Sequence, residues 1–249
     1  MIKKRNHVTD YWNKRGETYS RSWQSVAKKR LSSLETGLFK NAYKSIITTS
    51  NKNPVKVLDI GIAIGRISDV ILKYDVSLYC TDISETMIRL CENKYKGNSK
   101  VKKFKIHDVR TPLPNTWGKF DIVTAYRVLS YNPVSQLHNQ LININKSMNK
   151  GGLLIFTFSN KYSSTLLPKI IYRKYRLGYD TSYNEIKKIV KNAGFSECYI
   201  TGFSRLIDTL YDRCNDKRSA DILFGIEKLL GAILGPTLFA RLFYITCKK

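Results

Sequence analysis

The stretch that decides the fold is residues 57–65, which read VLDIGIAIG. Its mostly apolar first half predicts a buried strand, and the small residues that follow predict a turn into a helix. Gly61 allows the tight turn, while Ala63 and Gly65 let a ligand and the next helix approach the backbone. Turns of this kind also occur in dinucleotide-binding proteins, so the motif alone leaves the ligand open.

Polar residues that follow later strand-like runs narrow the choice of ligand. Asp82 lies 17 residues after Gly65, where a carboxylate can accept hydrogen bonds from both hydroxyls of a ribose. Asp108 and Tyr126 each follow a further strand-like run. The ordered series predicts a nucleoside site at one edge of a sheet.

The whole chain alternates between strand-like and helical segments, which predicts an α/β fold with a mostly parallel sheet covered on both faces. Residues 1–50 are helical in pattern, with apolar residues at helical spacing. Ser182 and Glu185 form a capping-box pattern ahead of a further helix that stops near Gly194. The predicted strands cover residues 55–58, 76–81, 101–106, 120–125, 152–158, 197–203 and 242–246.

These motifs together resemble the class I methyltransferases that depend on S-adenosylmethionine (SAM), over roughly residues 50–160. The resemblance is closest to the small-molecule group that includes the ubiquinone- and menaquinone-biosynthesis enzymes. The family pattern D-x-G-x-G-x-G is matched by Asp59, Gly61, Ala63 and Gly65, with alanine at the middle glycine. The resemblance implies a Rossmann-like, seven-stranded sheet whose last strand is antiparallel, with helices on both faces.

The resemblance also implies how a cofactor would lie, with SAM as the methyl donor and S-adenosylhomocysteine (SAH) as the product. Gly61 and Gly65 would flank the methionine part, Asp59 would orient the turn, and Asp82 would hold the ribose. Other expected contacts are with the adenine (Ile83, Met87, Asp108, Val109), with the sulfur (Tyr126) and, from an N-terminal lid, with the SAM carboxylate (Arg15, Tyr19).

The catalytic residue is unknown from the sequence. Many relatives have a histidine just after the fourth strand, but here residues 127–133 read RVLSYNP. The weak candidates are Tyr131, His107 and Tyr19. An unperturbed tyrosine has a pKa of about 10 and is a poor base. A base is needed only when the acceptor keeps its proton until late in the transfer.

The net charge of +24 is the one unusual bulk property. It indicates partners rich in phosphate or carboxylate, such as RNA, anionic lipid or a nucleotide-sugar, or else lysines solvated over the whole surface. The five scattered cysteines form no metal-binding pattern and predict a reducing, cytoplasmic location with no metal. No apolar run is long enough to span a membrane, although contact with a membrane surface stays open.

The domain division expected is a helical lid at 1–50 and a SAM-binding methyltransferase domain at 51–249 with cap insertions at 161–181 and 205–240. The first insertion holds a basic, tyrosine-bearing stretch at 169–176, whose pattern fits either RNA binding or a solvated amphipathic helix. The second ends in an apolar stretch, which favours an apolar acceptor. The leading hypothesis is methylation of an O, N or C atom of an apolar or anionic small molecule. The alternatives are an RNA methyltransferase, which lacks a recognisable RNA-binding module, and a non-catalytic SAM-fold binding protein.

Overall fold

The computed structural model describes residues 2–16, 18–50, 52–163, 178–203, 210, 213–235 and 237–249. The N-terminal fifth of the chain is helical, as predicted. It contains helix α1 (Ile2–Arg15), a short 3-10 helix (Tyr19–Trp23) and the long helix α2 (Val26–Ser50).

A single sheet follows, in the strand order β3-β2-β1-β4-β5-β8-β7, with the short strand β6 beside β5. The pairs among β1 to β5 are parallel, and β8 is antiparallel to both β5 and β7. This confirms the predicted fold class and the antiparallel last strand, and β6 makes the sheet eight-stranded. The strands are β1 Val55–Ile60, β2 Val76–Asp82, β3 Val101–Ile106, β4 Phe120–Ala125, β5 Met148–Asn160, β6 Asp180–Thr181, β7 Glu197–Phe203 and β8 Leu242–Lys248.

Helices cover both faces of the sheet. Successive residues of β4 point to opposite sides, so that Ile122 packs among the residues of α2 and α4 while Val123 packs among those of α5 and α6. The predicted capping box at the start of α6 is present, with Ser182 and Glu185 bonded to each other's backbone. These helices are α3 Ser68–Ile71, α4 Glu85–Lys94, α5 Val134–Lys146, α6 Tyr183–Asn192 and α7 Lys217–Leu234.

The buried face of α2 differs from the apolar pattern of the sequence. Leu34 fits a helical apolar spacing but is 45% exposed, whereas the neighbouring Glu35 is 1% exposed. The face that meets the core carries Leu31, Glu35 and Phe39, at intervals of four residues. An acidic side chain therefore occupies a core position, and its partners belong to the site described below.

Of the two predicted cap insertions, the first lies mostly outside the described residues, and its basic stretch 169–176 lies entirely outside them. The second contains α7, which packs against the N-terminal half of α2 through Leu223 and Phe224, with an ion pair between Asp221 and Arg30. Within the described part of the chain, no helix is both long and apolar enough to cross a membrane.

Candidate active site

The turn after β1 has the backbone geometry that its small residues predict. Gly61, Ala63 and Gly65 have positive φ angles of 72°, 49° and 77°. A Cβ added to Gly61 would lie 2.1 Å from Val128 Cγ2, and one added to Gly65 would lie 2.2 Å from the Tyr95 hydroxyl. Both glycines are therefore required by φ and by space, whereas Ala63 holds a conformation that glycine favours.

Asp82, at the end of β2, is joined directly to this turn. Its carboxylate accepts hydrogen bonds from the backbone N–H of Ala63 and of Ser84, both at 2.9 Å. Burial raises the pKa of Asp82 to about 6, although the backbone donors act in the opposite direction. The Ser84 hydroxyl caps α4 by accepting from the N–H of Met87 and donates to Asn13 of α1 at 2.6 Å. Asp82, the glycine turn and helix α1 thus meet at one point.

Asp59 lies beneath the turn, where it is 2% exposed. Its two oxygens accept hydrogen bonds from the hydroxyls of Ser68 at 2.6 Å and Thr124 at 2.7 Å. Burial raises its pKa to about 6, and the two hydroxyls partly offset that effect. The side chain ties β1 to β4 and to α3, which is the geometry of a group that positions the turn.

The acid after β3 is paired within its own loop. Asp108 accepts three hydrogen bonds from the guanidinium of Arg110, at 2.6–3.0 Å. The neighbouring His107 donates its backbone N–H to the Asp82 carbonyl oxygen at 2.8 Å, so the ends of β2 and β3 are held together. Burial lowers the pKa of His107, which keeps its imidazole neutral near pH 7, and its Nε2 is buried without a partner among the described residues.

Aromatic residues connect α1 to the end of β4. The Trp12 ring lies edge-on to the rings of Tyr11, Tyr19 and Tyr131, with centroids 5.2, 5.2 and 5.5 Å away. Arg15 donates a hydrogen bond to the Tyr11 hydroxyl and lies over the rings of Tyr11 and Tyr19. Burial raises the pKa of Tyr131 well above its usual value, which makes this residue a poorer base than a free tyrosine.

An open cleft of about 600 Å³ lies between α1 and the 3-10 helix that follows it. Three of its lining residues are basic, so the cleft favours an anionic ligand. The lining residues are Tyr11, Lys14, Arg15, Thr18 and Arg21.

Sequence reasoning missed a buried ionic cluster centred on Glu35. Its carboxylate contacts Arg66 at 2.6 Å and Arg127 at 2.8 Å, and it accepts a hydrogen bond from Tyr244 at 2.9 Å. Its backbone carbonyl accepts a hydrogen bond from the Tyr126 hydroxyl at 2.7 Å. Burial alone would raise the pKa of Glu35, but the guanidiniums of Arg127 and Arg66 outweigh it and the pKa is lowered. Two cations face one anion, which leaves one net positive charge.

Trp23, the last residue of the 3-10 helix, packs against the two arginines of this cluster. Its ring lies 3.8 Å from the guanidinium carbon of Arg66 and 5.1 Å from that of Arg127. Arg127 has a positive φ of 57° directly after β4, and its N–H donates to the Thr157 hydroxyl at 2.7 Å. The one available sequence signal was an acid at Glu35, four residues after Leu31 on the apolar face of a predicted helix.

The strand order places the predicted cofactor residues side by side, because β3, β2, β1 and β4 are adjacent and parallel. The glycine turn, Asp82 and Asp108 all lie at the carboxyl ends of these strands. Tyr126 is buried there too, with its hydroxyl bonded to α2. Of the three remaining predicted adenine contacts, Met87 and Val109 are buried and Ile83 is partly exposed.

Comparison with known protein families finds a match in the middle of the chain. Residues 58–154 match the family model of a methyltransferase domain. No curated protein matches the chain.

Several solved structures share the fold along most of the chain. Magnesium protoporphyrin IX methyltransferase (ChlM) from Synechocystis PCC 6803, with SAH bound, is 19% identical, with 98% of this chain and 99% of that chain covered and a TM-score of 0.67. The N-methyltransferase NodS from Bradyrhizobium japonicum WM9, also with SAH, is 12% identical, with coverage of 97% and 98% and a TM-score of 0.59. A SAM-dependent methyltransferase from Archaeoglobus fulgidus is 18% identical, with coverage of 86% and 94% and a TM-score of 0.55.

Residues 58–154 thus match a methyltransferase domain, and the chain has the fold of these solved methyltransferases. The family model runs from within β1 to within β5, the part of the sheet that carries the glycine turn with Asp59, Asp82 and Asp108, while the structural likeness extends over the N-terminal helices and the last strands.

Proposed function

We propose that this protein binds SAM along the carboxyl ends of β1–β4 and transfers its methyl group to an O, N or C atom of a small molecule. The observation that carries the proposal is the contact between the glycine turn and Asp82. An acid with two backbone donors on its oxygens still has lone pairs to accept the two hydroxyls of a ribose. A pKa of about 6 keeps this acid ionised at neutral pH.

The site residues divide by the part of the cofactor they would hold. Gly61, Ala63 and Gly65 would lie along the methionine part, and Asp59 would fix the turn from below. Asp108 would accept from the adenine amino group through lone pairs that Arg110 leaves available. The apolar walls of the adenine site would be Ile83, Met87 and Val109.

The lid would close the methionine end. Arg15 and Tyr19 would reach the carboxylate of the cofactor, and the backbone at Tyr126 would border its sulfur. We also propose the division into a lid at 1–50 and a methyltransferase domain at 51–249, with cap insertions at 161–181 and 205–240. The Ser84–Asn13 hydrogen bond supports this lid, because it ties α1 to the end of β2.

Catalysis in this proposal rests on positioning. SAM supplies an electrophilic methyl group, and alignment of an acceptor with it accounts for much of the rate. Tyr131 has a raised pKa, and His107 is partly buried with a lowered pKa, so neither is assigned as a base. We infer an acceptor that is ionised, or loses its proton easily, when it binds.

The acceptor is proposed to be a small molecule with an apolar body or an anionic group. The neighbour ChlM is named for methylation of magnesium protoporphyrin IX, a small molecule, and the aromatic rings and basic residues around the cleft fit such a ligand. A cytoplasmic location is part of the proposal, since all five cysteines are free thiols.

The test is a calorimetric titration of the purified protein with SAH. We expect micromolar binding, lost in Asp82→Ala and kept in Asp75→Ala, which removes an exposed carboxylate just before the start of the same strand. Thermal unfolding of both variants checks that they are folded. Failure of the folded wild-type protein to bind SAH would contradict the proposal, and so would equal binding by Asp82→Ala.

A further inference from the structure

Helix α7 presents a row of large apolar side chains to solvent. Ile222, Ile226, Leu229 and Ile233 are 58%, 44%, 60% and 69% exposed. Their spacing of four, three and four residues places them within about 60° of arc on the helix. Isolated exposed apolar residues are ordinary, but a continuous row of four on one helix indicates an interaction surface.

The opposite side of the same helix is already packed. Ala220, Leu223 and Phe224 form a buried cluster with Ala27 and Leu31 of α2. The core therefore holds α7 in place, and the outward row is not the side by which the helix attaches to the protein. Binding through this row would require no helix formation, which lowers its entropic cost.

The charges around the row are mainly positive. Arg218 lies in line with the row at its N-terminal end, and Lys228 is exposed on its flank. Of the acids on α7, Glu227 is buried and Asp221 is paired with Arg30. An apolar row beside exposed cations is the pattern of a helix that lies in the interface of an anionic bilayer.

We propose that α7 docks this protein on an anionic membrane surface, with Ile222, Ile226, Leu229 and Ile233 inserted among the lipid headgroups. Charge and the apolar row together favour an anionic membrane over RNA or a second copy of the protein. RNA would match the net charge of +24 but not an apolar row. A second copy would match the row but would bring a second +24 charge against the first.

Vesicle sedimentation tests the proposal without any methyl acceptor or cofactor, so it is independent of the proposed reaction. The protein is mixed with phosphatidylcholine vesicles or with vesicles in which about a third of the lipid is phosphatidylglycerol. We expect binding to the anionic vesicles only, weakening as salt is raised. No binding to anionic vesicles, or equal binding to both kinds, would overturn the proposal.

Two sets of variants locate the surface. The triple variant Ile226→Ser, Leu229→Ser, Ile233→Ser is expected to lower the partition coefficient at least about tenfold. The matched control, Ile106→Ser with Tyr199→Ser, removes exposed apolar side chains from β3 and β7 and should bind as the wild type does.

The second set changes charge. The double variant Arg218→Glu, Lys228→Glu should weaken binding by at least about fivefold for each cation lost. Its control is Lys102→Glu with Lys103→Glu, which makes the same charge change on exposed residues of β3.

The variants must be folded for the comparison to be valid, so each should keep the thermal unfolding temperature of the wild type. Wild-type affinity in the folded triple variant would refute docking through α7, as would equal losses in the two charge variants. Size-exclusion chromatography that shows a dimer abolished by the triple variant, together with no vesicle binding, would assign the row to self-association and overturn the proposal.

Discussion

Replacement of Glu35 by glutamine tests the buried cluster most directly. The side chain is fully buried, and it is shared by the guanidiniums of Arg66 and Arg127, whose side chains are only 16% and 21% exposed. Glu35→Gln keeps the shape but removes the anion, so two cations are left together in a poorly solvated place. Breaking a buried pair in this way costs about 3–5 kcal/mol.

This loss can be measured as a shift in thermal unfolding. For a domain of this size each kcal/mol shifts Tm by about 2–4 °C, so we expect a decrease of about 6–20 °C. Circular dichroism at pH 7 is the assay. The control is Glu92→Gln on α4, which is exposed and should change the free energy of unfolding by no more than about 0.5 kcal/mol.

The pH dependence gives a second test with a fixed sign. The pKa of Glu35 is lowered in the folded protein, so its stabilising contribution is present above its ordinary pKa of 4.5 and is lost as pH falls through the lowered value. The difference between wild type and Glu35→Gln should therefore shrink in acid. A decrease of less than about 1 kcal/mol at pH 7 would refute the reasoning, because it would mean that solvent reaches the cations.

Three further predictions concern the turn and the acids. Positive φ angles favour glycine over alanine, and φ is 72° at Gly61 and 49° at Ala63. Gly61→Ala should therefore lower the free energy of unfolding by more than about 2 kcal/mol in denaturant titrations, whereas Ala63→Gly should be neutral or stabilising by up to about 1 kcal/mol. As the pH rises from 3.8 to about 6, Asp59 alone should lower the free energy of unfolding by up to about 3 kcal/mol, because its carboxyl loses the proton in the unfolded state before it does so in the folded state. Asp59→Asn should reduce that dependence on pH. In SAH titrations Asp108→Asn should weaken binding about tenfold and Arg110→Gln less than about twofold, since only the first loses an acceptor; the reverse order would exclude Asp108 from the site.

The glycine turn and the two acids near the ends of β2 and β3 could be predicted, because each is marked by residues close to it in the sequence. The glycine turn is five residues long, and Asp82 and Asp108 are recognised by the strands just before them. Strand ends were less accurate: β5 begins at Met148, four residues before the predicted start, because Met148 pairs with Phe120 across an irregularity in register. The glycines at 151 and 152 both lie inside this strand.

The Glu35 cluster could not be assembled from local signals. Its partners Arg127 and Tyr244 are 92 and 209 residues away in the chain, and each alone is an ordinary polar residue. Only the sheet order brings the ends of β1 and β4 beneath α2. The apolar spacing of α2 includes Leu34 and not Glu35, and no local signal shows which cations would pair with Glu35.

The cluster also bears on how the charge of +24 should be interpreted. Exposed lysines such as Lys102 and Lys103 on β3 need no partner, and a lysine-rich composition is enough to explain them. Arg66 and Arg127 are different, because desolvating a cation costs several kcal/mol and only contacts such as those with Glu35 and Trp23 offset it. Composition alone therefore does not account for these two arginines. Their charges lie just beyond the ends of β1 and β4, where the fold itself supplies the acid and the aromatic ring that stabilise them.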